Sequence, residues 1–282
     1  MKPNKSHFVP ILTTDAGRSL TVANWEEVDV NTVAYNLASL LMKPGMDLLR
    51  SLPDLKTYTG WSSNLVLNAA MPDMNRDGRY TIRSDYDGSR SHYSPDDIIA
   101  LILQLKPQMV LLPTGIDTAW QALPKDVFPF FSSRYLPTHI DRAHGVYFLH
   151  DKSITASQLI EQVEAYADIP RYVSGELDVD LIRELRRLGV EYVSSNVPAS
   201  DACNGRIYSD NGLMILKSDA YRMDFNTIDE TCSCPTCDQQ LTRAYLHHLF
   251  DHTPLLCQRF LIQHNIRFTT FQEMDITHLR QP

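Results

Sequence analysis

The stretch Cys232–Asn265, CSCPTCDQQLTRAYLHHLFDHTPLLCQRFLIQHN, is the most informative part of this 282-residue chain. It opens with a CxCxxC pattern formed by Cys232, Cys234 and Cys237, on a turn that Pro235 helps to form. Three thiols that converge on one point suit a soft divalent ion, and zinc prefers four tetrahedral thiolate or imidazole ligands. The pattern therefore predicts a zinc site that needs one further ligand.

Four histidines that follow the cysteines are candidates for the fourth ligand: His247, His248, His252 and His264. Apolar residues at helical spacing predict one helix before Pro254 and a second helix after it. His264 lies at the far end of the second helix, which can fold back antiparallel and return its last turn to the cysteines. Spacing alone leaves the choice between His264 and His247 open. The odd cysteine count and the lack of an export signal argue against a disulfide pair with a spare thiol.

Composition sets limits on partners and location. No apolar window is long enough to span a bilayer and the N-terminus MKPNKSHFVP lacks an apolar signal core, so we expect a cytoplasmic protein without a membrane partner. The formal net charge of −8 argues against tight nucleic-acid binding by this chain alone. Arg183, Arg186 and Arg187 share a predicted helix and are a candidate basic patch, although a solvated helix face is the favoured interpretation.

Several motifs together resemble the tRNA-guanine transglycosylases, also called queuine tRNA-ribosyltransferases. CxCxxC, RAYLHHLF and an apolar helix that ends in HN are similar to the zinc signature of that family. KPG and TGW correspond to its RPG-type turn and MGW helix end, and SDYDGSRSHYSPDD is similar to its SHxDGSxHxLSPExSI block. The resemblance implies a structural zinc ion, because four protein ligands leave no open coordination position. It assigns these ligands to Cys232, Cys234, Cys237 and His264.

The resemblance also implies an α/β fold, a TIM-type (β/α)₈ barrel with a C-terminal zinc-binding subdomain. We expect the barrel in residues 1–216 and the zinc-binding subdomain, which completes it, in residues 217–282. Alternating strand and helix patterns predict parallel βαβ units, but we count seven parallel strands where eight are needed. The chain between Thr114 and Gly145 is rich in proline and aromatic residues with little periodicity. The barrel therefore either lacks about one βα unit there or is closed by an irregular segment.

The family exchanges a purine base in tRNA through a covalent intermediate, and its three key aspartates follow barrel strands. Its LTDSGG, FDE and FDCVLP motifs fall on LNAA, PTG and VSSNVP of this chain. The nucleophile becomes Ser194, the acid/base aspartate becomes Asn68, and the base-recognition aspartate becomes Thr114. An amide cannot ionise, and a serine without an adjacent base has negligible alkoxide at neutral pH. Ala69 and Ala70 also replace family glycines, so the sequence predicts lost base exchange.

Four other carboxylates follow predicted strand ends: Asp73, Asp117, Glu176 and Asp201. A rearranged site could draw on a pair of them, with Glu176 and Asp201 as substitutes for the missing aspartates, although solvated loop acids are the commoner case. Cys203 and Cys257 are expected to be buried small residues, since neither has a paired histidine at a motif spacing. Pro254 stands near the position of a family glutamate.

Three functional hypotheses remain open. The first is a degenerate paralogue that acts with tRNA and a catalytic homologue, or as a homodimer, in queuosine-type tRNA modification. The second is an active base-exchange transferase, or a 7-deazaguanine-binding protein, that uses relocated carboxylates. The third is a small-molecule-binding protein without a nucleic-acid role, which the acidic charge makes tenable.

Overall fold

A nearly closed barrel of eight parallel strands dominates the architecture. The computed structural model describes residues 6–116, 118–151 and 153–271. The eight strands pair in the order β1-β10-β9-β8-β7-β6-β3-β2, and a parallel bridge between Ile11 and Ala34 brings the two edges of the sheet together. The strands, with those of two small antiparallel hairpins, are β1 (His7–Phe8), β2 (Thr32–Asn36), β3 (Asn64–Asn68), β4 (Tyr80–Arg83), β5 (Arg90–Tyr93), β6 (Met109–Leu111), β7 (Phe128–Ser132), β8 (Gly145–His150), β9 (Arg171–Gly175), β10 (Tyr192–Ser195), β11 (Arg206–Ser209) and β12 (Gly212–Ile215).

The count of seven parallel strands was wrong, because the irregular segment contains an eighth. Strand β7 pairs in parallel with β6 and with β8 and fills the gap in the barrel. What the segment lacks is helix: between Leu111 and Gly145 the described residues form one 3₁₀ turn, Ala119–Ala122, and no α-helix. Of the two alternatives, closure of the barrel by the irregular segment is therefore confirmed, and this segment supplies a strand without an α-helix.

Pro129 explains why β7 has an unusual strand sequence. Proline cannot donate to a ladder and normally marks an edge strand. Here the Phe128 N–H donates to the Gln108 carbonyl at 2.8 Å, and pairing with β8 begins only at Phe130 opposite Gly145. Pro129 thus precedes the point at which β7 meets β8, so its missing N–H removes no bond from that ladder.

The helices that surround the barrel begin at well-formed caps. Ser94 and Asp97 form a reciprocal capping box at the start of α6, and Thr155 and Gln158 do the same for α7. The α-helices are α1 (Asp15–Arg18), α2 (Val22–Glu26), α3 (Leu37–Leu40), α4 (Met46–Ser51), α5 (Leu55–Thr59), α6 (Pro95–Leu105), α7 (Ala156–Glu164), α8 (Val179–Arg187), α9 (Val197–Cys203), α10 (Pro235–Asp238), α11 (Arg243–His252) and α12 (Pro254–Phe271), with a π-type turn at Leu41–Gly45 and a second 3₁₀ turn at Asp219–Tyr221.

Aromatic side chains fill the interior of the barrel. Phe130 packs edge-on against Tyr172 and Tyr192, with ring centroids 5.5 and 5.8 Å apart, above smaller residues such as Val66. A Cβ atom at Gly145 would lie 2.4 Å from the Phe130 ring, so this position must stay without a side chain. The interior is a packed core, as expected for eight strands.

Helix α12 attaches the C-terminal elements to the barrel. It contacts α10 and α11 on one side, and α8, α9 and β1 on the other. The Arg186 guanidinium on α8 donates to the carbonyls of Thr269 and Thr270 at 2.7 and 3.0 Å. In the described ranges, every helix is too short or too polar to be a bilayer-spanning segment.

Candidate metal centre and barrel mouth

The CxCxxC turn takes its shape from the short helix α10. Cys234 is the N-cap of that helix, Pro235 is its first residue, and the Cys237 N–H donates to the Cys234 sulfur at 3.4 Å. Hydrogen bonds from the Cys232 and Cys237 side chains, together with this backbone donor, lower the pKa of Cys234 well below the usual thiol range. Free N–H groups at a helix start favour a thiolate, which is the form that binds metal.

His264 completes the cluster from the other side. Its Nδ1 atom lies 3.7 Å from the Cys232 sulfur, 3.5 Å from that of Cys234 and 3.4 Å from that of Cys237. Zinc bonds of about 2.3 Å to sulfur and 2.0 Å to nitrogen at tetrahedral angles would hold nitrogen and sulfur about 3.6 Å apart. All four ligand atoms lie within 4.8 Å of one another. The nitrogen–sulfur distances therefore fit a single tetrahedral zinc ion.

A backbone contact fixes which histidine nitrogen faces the thiols. The Nε2 atom of His264 lies 2.8 Å from the Tyr208 carbonyl oxygen, which can only accept. Nε2 therefore carries the proton, and the lone pair of Nδ1 points at the sulfurs, as is usual for histidine ligands. Cys234, Cys237 and His264 are buried and Cys232 is partly buried, and four protein ligands fill a tetrahedral site. These four residues form a structural zinc site, which the structure assembles from the four side chains that the sequence indicated.

The residues beside His264 hold α12 in place, a role that no sequence motif indicates. Fully buried Asn265 accepts from the Tyr208 N–H at 3.1 Å and donates to the carbonyls of Pro198 and Arg206 at 3.1 and 2.9 Å. Gln263 donates to the Asn24 carbonyl at 3.1 Å. A polar run inside an apolar helix was the available signal, because buried amides occur where partners satisfy them.

The three residues to which the resemblance assigns the family aspartates lie at the mouth of the barrel. Asn68 is the last residue of β3, and its side-chain oxygen accepts from the Ala70 N–H at 3.1 Å. Thr114 follows β6, and its carbonyl accepts a hydrogen bond from the Tyr80 hydroxyl. The buried Ser194 hydroxyl donates to the Val9 carbonyl at 2.8 Å, across the β1–β10 junction. Each residue makes a local polar contact at the mouth.

Neutral polar groups recur around this end of the barrel. Side chains alternate along a strand, so the residue two places beyond an interior residue also points inward. Five strands end their inward face in an amide or a hydroxyl: Asn36, Asn68, Ser132, Ser174 and Ser194. The inward strand ends therefore offer hydrogen-bonding groups without a carboxylate.

A groove crosses the mouth on the side of β6 and β7. Two adjoining cavities of about 360 and 450 Å³ share Asp73, Thr114, Ser132 and Tyr135 in their walls. Volumes of this size can hold a small planar ligand. Of the carboxylates that were predicted to follow strand ends, Asp73 lines this groove, and its side chain is exposed.

The other predicted carboxylates lie apart from that groove. Asp201 forms a 2.7 Å ion pair with Arg206, accepts a 2.7 Å hydrogen bond from the Tyr208 hydroxyl and lines a separate cavity of about 650 Å³. Glu176 is exposed after β9. Asp117 falls outside the described residues. Near the end of β10 the structure adds a carboxylate that the sequence had not singled out, since Asp15 accepts from the Asn196 amide at 3.1 Å.

The spare cysteines and the arginine cluster have structural surroundings. Cys257 is buried, donates to the Leu246 carbonyl at 3.3 Å, and burial raises the pKa of its thiol to about 12. Cys203 is partly buried and Pro254 starts α12. Arg183 pairs with Asp180 at 2.9 Å, whereas Arg186 binds the end of α12 and is not a solvated residue.

The chain is similar to proteins of known name along most of its length. The model of the family described as queuine tRNA-ribosyltransferase matches residues 145–276. The queuine tRNA-ribosyltransferase of Treponema denticola is 23% identical over 95% of this chain and 84% of that protein. Those of Sorangium cellulosum and Thermotoga neapolitana are 25% and 26% identical over 92% and 93% of this chain and 77% and 83% of their own lengths. With the barrel and its Cys₃His zinc site, these matches show that the chain is similar to the queuine tRNA-ribosyltransferases over most of its length.

Proposed function

We propose that this chain is a catalytically degenerate family member that acts in or alongside queuosine-type tRNA modification. The barrel mouth supports the proposal, because the resemblance assigns the three family aspartates to Asn68, Thr114 and Ser194, and none of these side chains is a carboxylate. A base-exchange reaction needs an ionised nucleophile and a group that can transfer a proton. The Ser194 hydroxyl instead donates to a backbone carbonyl and has no imidazole or carboxylate partner among its described contacts.

The proposed role is that of a partner in the cytoplasm. The zinc site and the barrel maintain the family architecture, which could hold tRNA or dock to a catalytic homologue that carries the three aspartates. A second copy of this chain is the alternative partner. Co-purification of a family member with all three aspartates, in defined stoichiometry, would support the first arrangement.

A second candidate function is base exchange with relocated carboxylates. The observation that favours it is the position of Asp73 in the mouth groove beside Thr114 and Ser132. Asp15 near the end of β10 is a further nearby acid, whereas the ion pair of Asp201 with Arg206 opposes its use as a base. This alternative predicts that the purified chain incorporates guanine into tRNA.

The deciding experiment incubates the purified chain with tRNA and radiolabelled guanine. We expect no incorporation above background, while the Thermotoga neapolitana enzyme serves as the positive control under the same conditions. Incorporation by this chain would contradict the proposal. If such activity disappeared in Asp73→Asn, Glu176→Gln or Asp201→Asn but persisted in the exposed-loop control Asp77→Asn, the second function would replace the first.

A further inference from the structure

The hairpin β4–β5 projects from the mouth of the barrel. It follows the end of β3 and leads into the cap of α6, and its turn is closed by the Ser84 N–H bond to the Ser89 carbonyl at 2.8 Å. The Tyr80 hydroxyl at its base bonds to the Thr114 carbonyl, so the hairpin is tied to the groove described above. Any large ligand that covers the mouth would also meet this hairpin.

The outward face of the hairpin brings two arginines together. Arg83 and Arg90 are directly opposite each other in the antiparallel register, and the next pair on that face is Thr81 with His92. Side chains directly opposite on adjacent strands lie on the same face, and like charges placed so are unfavourable. Both guanidinium groups are exposed, and no ion pair of either is found among the described residues.

The acidic residues of the turn do not neutralise this arginine pair. The Asp87 carboxylate accepts from the Ser89 N–H at 3.1 Å and from the Ser89 hydroxyl at 2.8 Å. Asp85 is exposed in the same turn and lies in no ion pair with either arginine. The two arginines therefore present an unmatched positive site on a chain whose formal net charge is −8.

The same hairpin also carries an exposed aromatic ring. Tyr86 is 66% exposed at the tip of the hairpin, and the Lys43 ammonium lies 4.2 Å from its ring centroid. The cation covers one face of the ring, so the other remains available for stacking. Arginines that bind phosphate next to an aromatic ring that stacks on a base are a common arrangement in proteins that bind unpaired RNA.

We propose that the outward face of this hairpin binds the phosphate backbone of an RNA loop, with Arg83 and Arg90 on phosphates and Tyr86 against a base. The proposal rests on the proposed role in tRNA modification and names the surface through which the RNA is held. The positive charge that complements the RNA phosphates is local, because it comes from one hairpin of a chain that is acidic as a whole. This surface would present the RNA to the mouth of the barrel.

The test measures fluorescence anisotropy of a fluorescein-labelled RNA stem-loop over a series of KCl concentrations. Arg83→Gln/Arg90→Gln is expected to weaken binding at least about tenfold at low salt and to flatten the log–log salt slope by about 1.4, since each phosphate contact to a single strand contributes about 0.7. The matched control, Lys106→Gln/Lys125→Gln, removes two exposed charges that precede β6 and β7, at the opposite end of the barrel. It should leave affinity and slope nearly unchanged.

Further measurements separate the outcomes. Thermal unfolding and zinc content of the variants should match the wild type, since both arginines are exposed.

Tyr86→Ala should weaken binding to the stem-loop but not to a blunt RNA duplex, and Tyr86→Phe should restore it. Equal losses in the two double variants, or no RNA binding by the wild type, would overturn the proposal, and so would preferential binding of labelled polyglutamate. None of these results depends on guanine incorporation, so the two proposals can fail separately.

Discussion

At the scale of single residues, the zinc site depends on a hydrogen bond made by the nitrogen of His264 that faces away from the thiols. The contact of His264 Nε2 with the Tyr208 carbonyl selects the neutral tautomer in which the lone pair of Nδ1 is aimed at three sulfurs. The three cysteine ligands could be named from the CxCxxC motif, whereas the choice of His264 came from the family resemblance. The supporting contacts could not be named from the sequence, because Tyr208 and Asn265 meet only through the tertiary fold.

Replacing His264 tests this arrangement. His264→Ala is expected to reduce zinc affinity by more than about 100-fold, since loss of a supporting contact alone costs 10–100-fold. Two measurements test this expectation: the zinc content after dialysis against a chelator, and the thermal unfolding of the variant. His248→Ala, which changes an exposed histidine of α11, is the matched control and should retain zinc. Full zinc retention by His264→Ala would contradict the assignment of this ligand.

At the scale of elements, regular helices were easier to anticipate than β7. The Ser-Pro-Asp-Asp start of α6 and the Thr155 start of α7 follow known capping chemistry, which a local sequence pattern encodes. Strand β7 was missed because Pro129 lies within FPFFS and the run lacks alternation. Its place between β6 and β8 is determined by barrel closure, which no local pattern encodes.

The cap of α6 should make stability sensitive to acid. Hydrogen bonds from the Ser94 hydroxyl and the Ser94 N–H lower the pKa of Asp97. Because the folded-state value is the lower one, the stabilisation is complete above the unfolded-state pKa of about 3.9 and is lost as the pH falls through the folded-state pKa. Asp97→Asn should cost about 1 kcal/mol of unfolding free energy at neutral pH.

Chemical denaturation at neutral and at acidic pH measures this effect. The difference between wild type and Asp97→Asn is expected to shrink in acid, when the wild-type carboxylate becomes protonated. Asp96→Asn, an exposed neighbour in the same first turn, serves as the control and should show little change at either pH. A difference that stays constant with pH would mean that the ionised carboxylate is not the cause.

At the scale of the whole molecule, the C-terminal helix holds distant parts of the barrel together. Helix α12 contacts β1, α8 and α9, and its Gln263 reaches the Asn24 carbonyl near the N-terminus. The barrel class could be inferred from strand and helix alternation together with the family resemblance. The domain boundary near residue 217 stays a prediction, and the loss of catalysis stays a proposal.

Arg186 provides a test of this connection. Its guanidinium donates to two carbonyls at the end of α12, and hydrogen bonds from charged groups contribute about 1.5–3 kcal/mol each. Arg186→Ala is expected to lower the free energy of unfolding by about 3 kcal/mol. Arg187→Ala on the same helix removes an exposed ion pair and should cost at most about 0.5 kcal/mol. Urea denaturation of both variants measures the difference, and equal costs would contradict the role of Arg186.

The closure of the barrel has a consequence for its synthesis on the ribosome. Strand β1 is translated first, yet its partner β10 is near Tyr192, and the Ser194 bond to Val9 spans 185 residues. While the chain is growing, β1 has no ladder neighbour on that side until about 185 further residues have been translated. Nascent chains of this protein are therefore expected to depend on chaperones until late in translation, because contacts so distant in sequence form slowly and leave apolar edges uncovered.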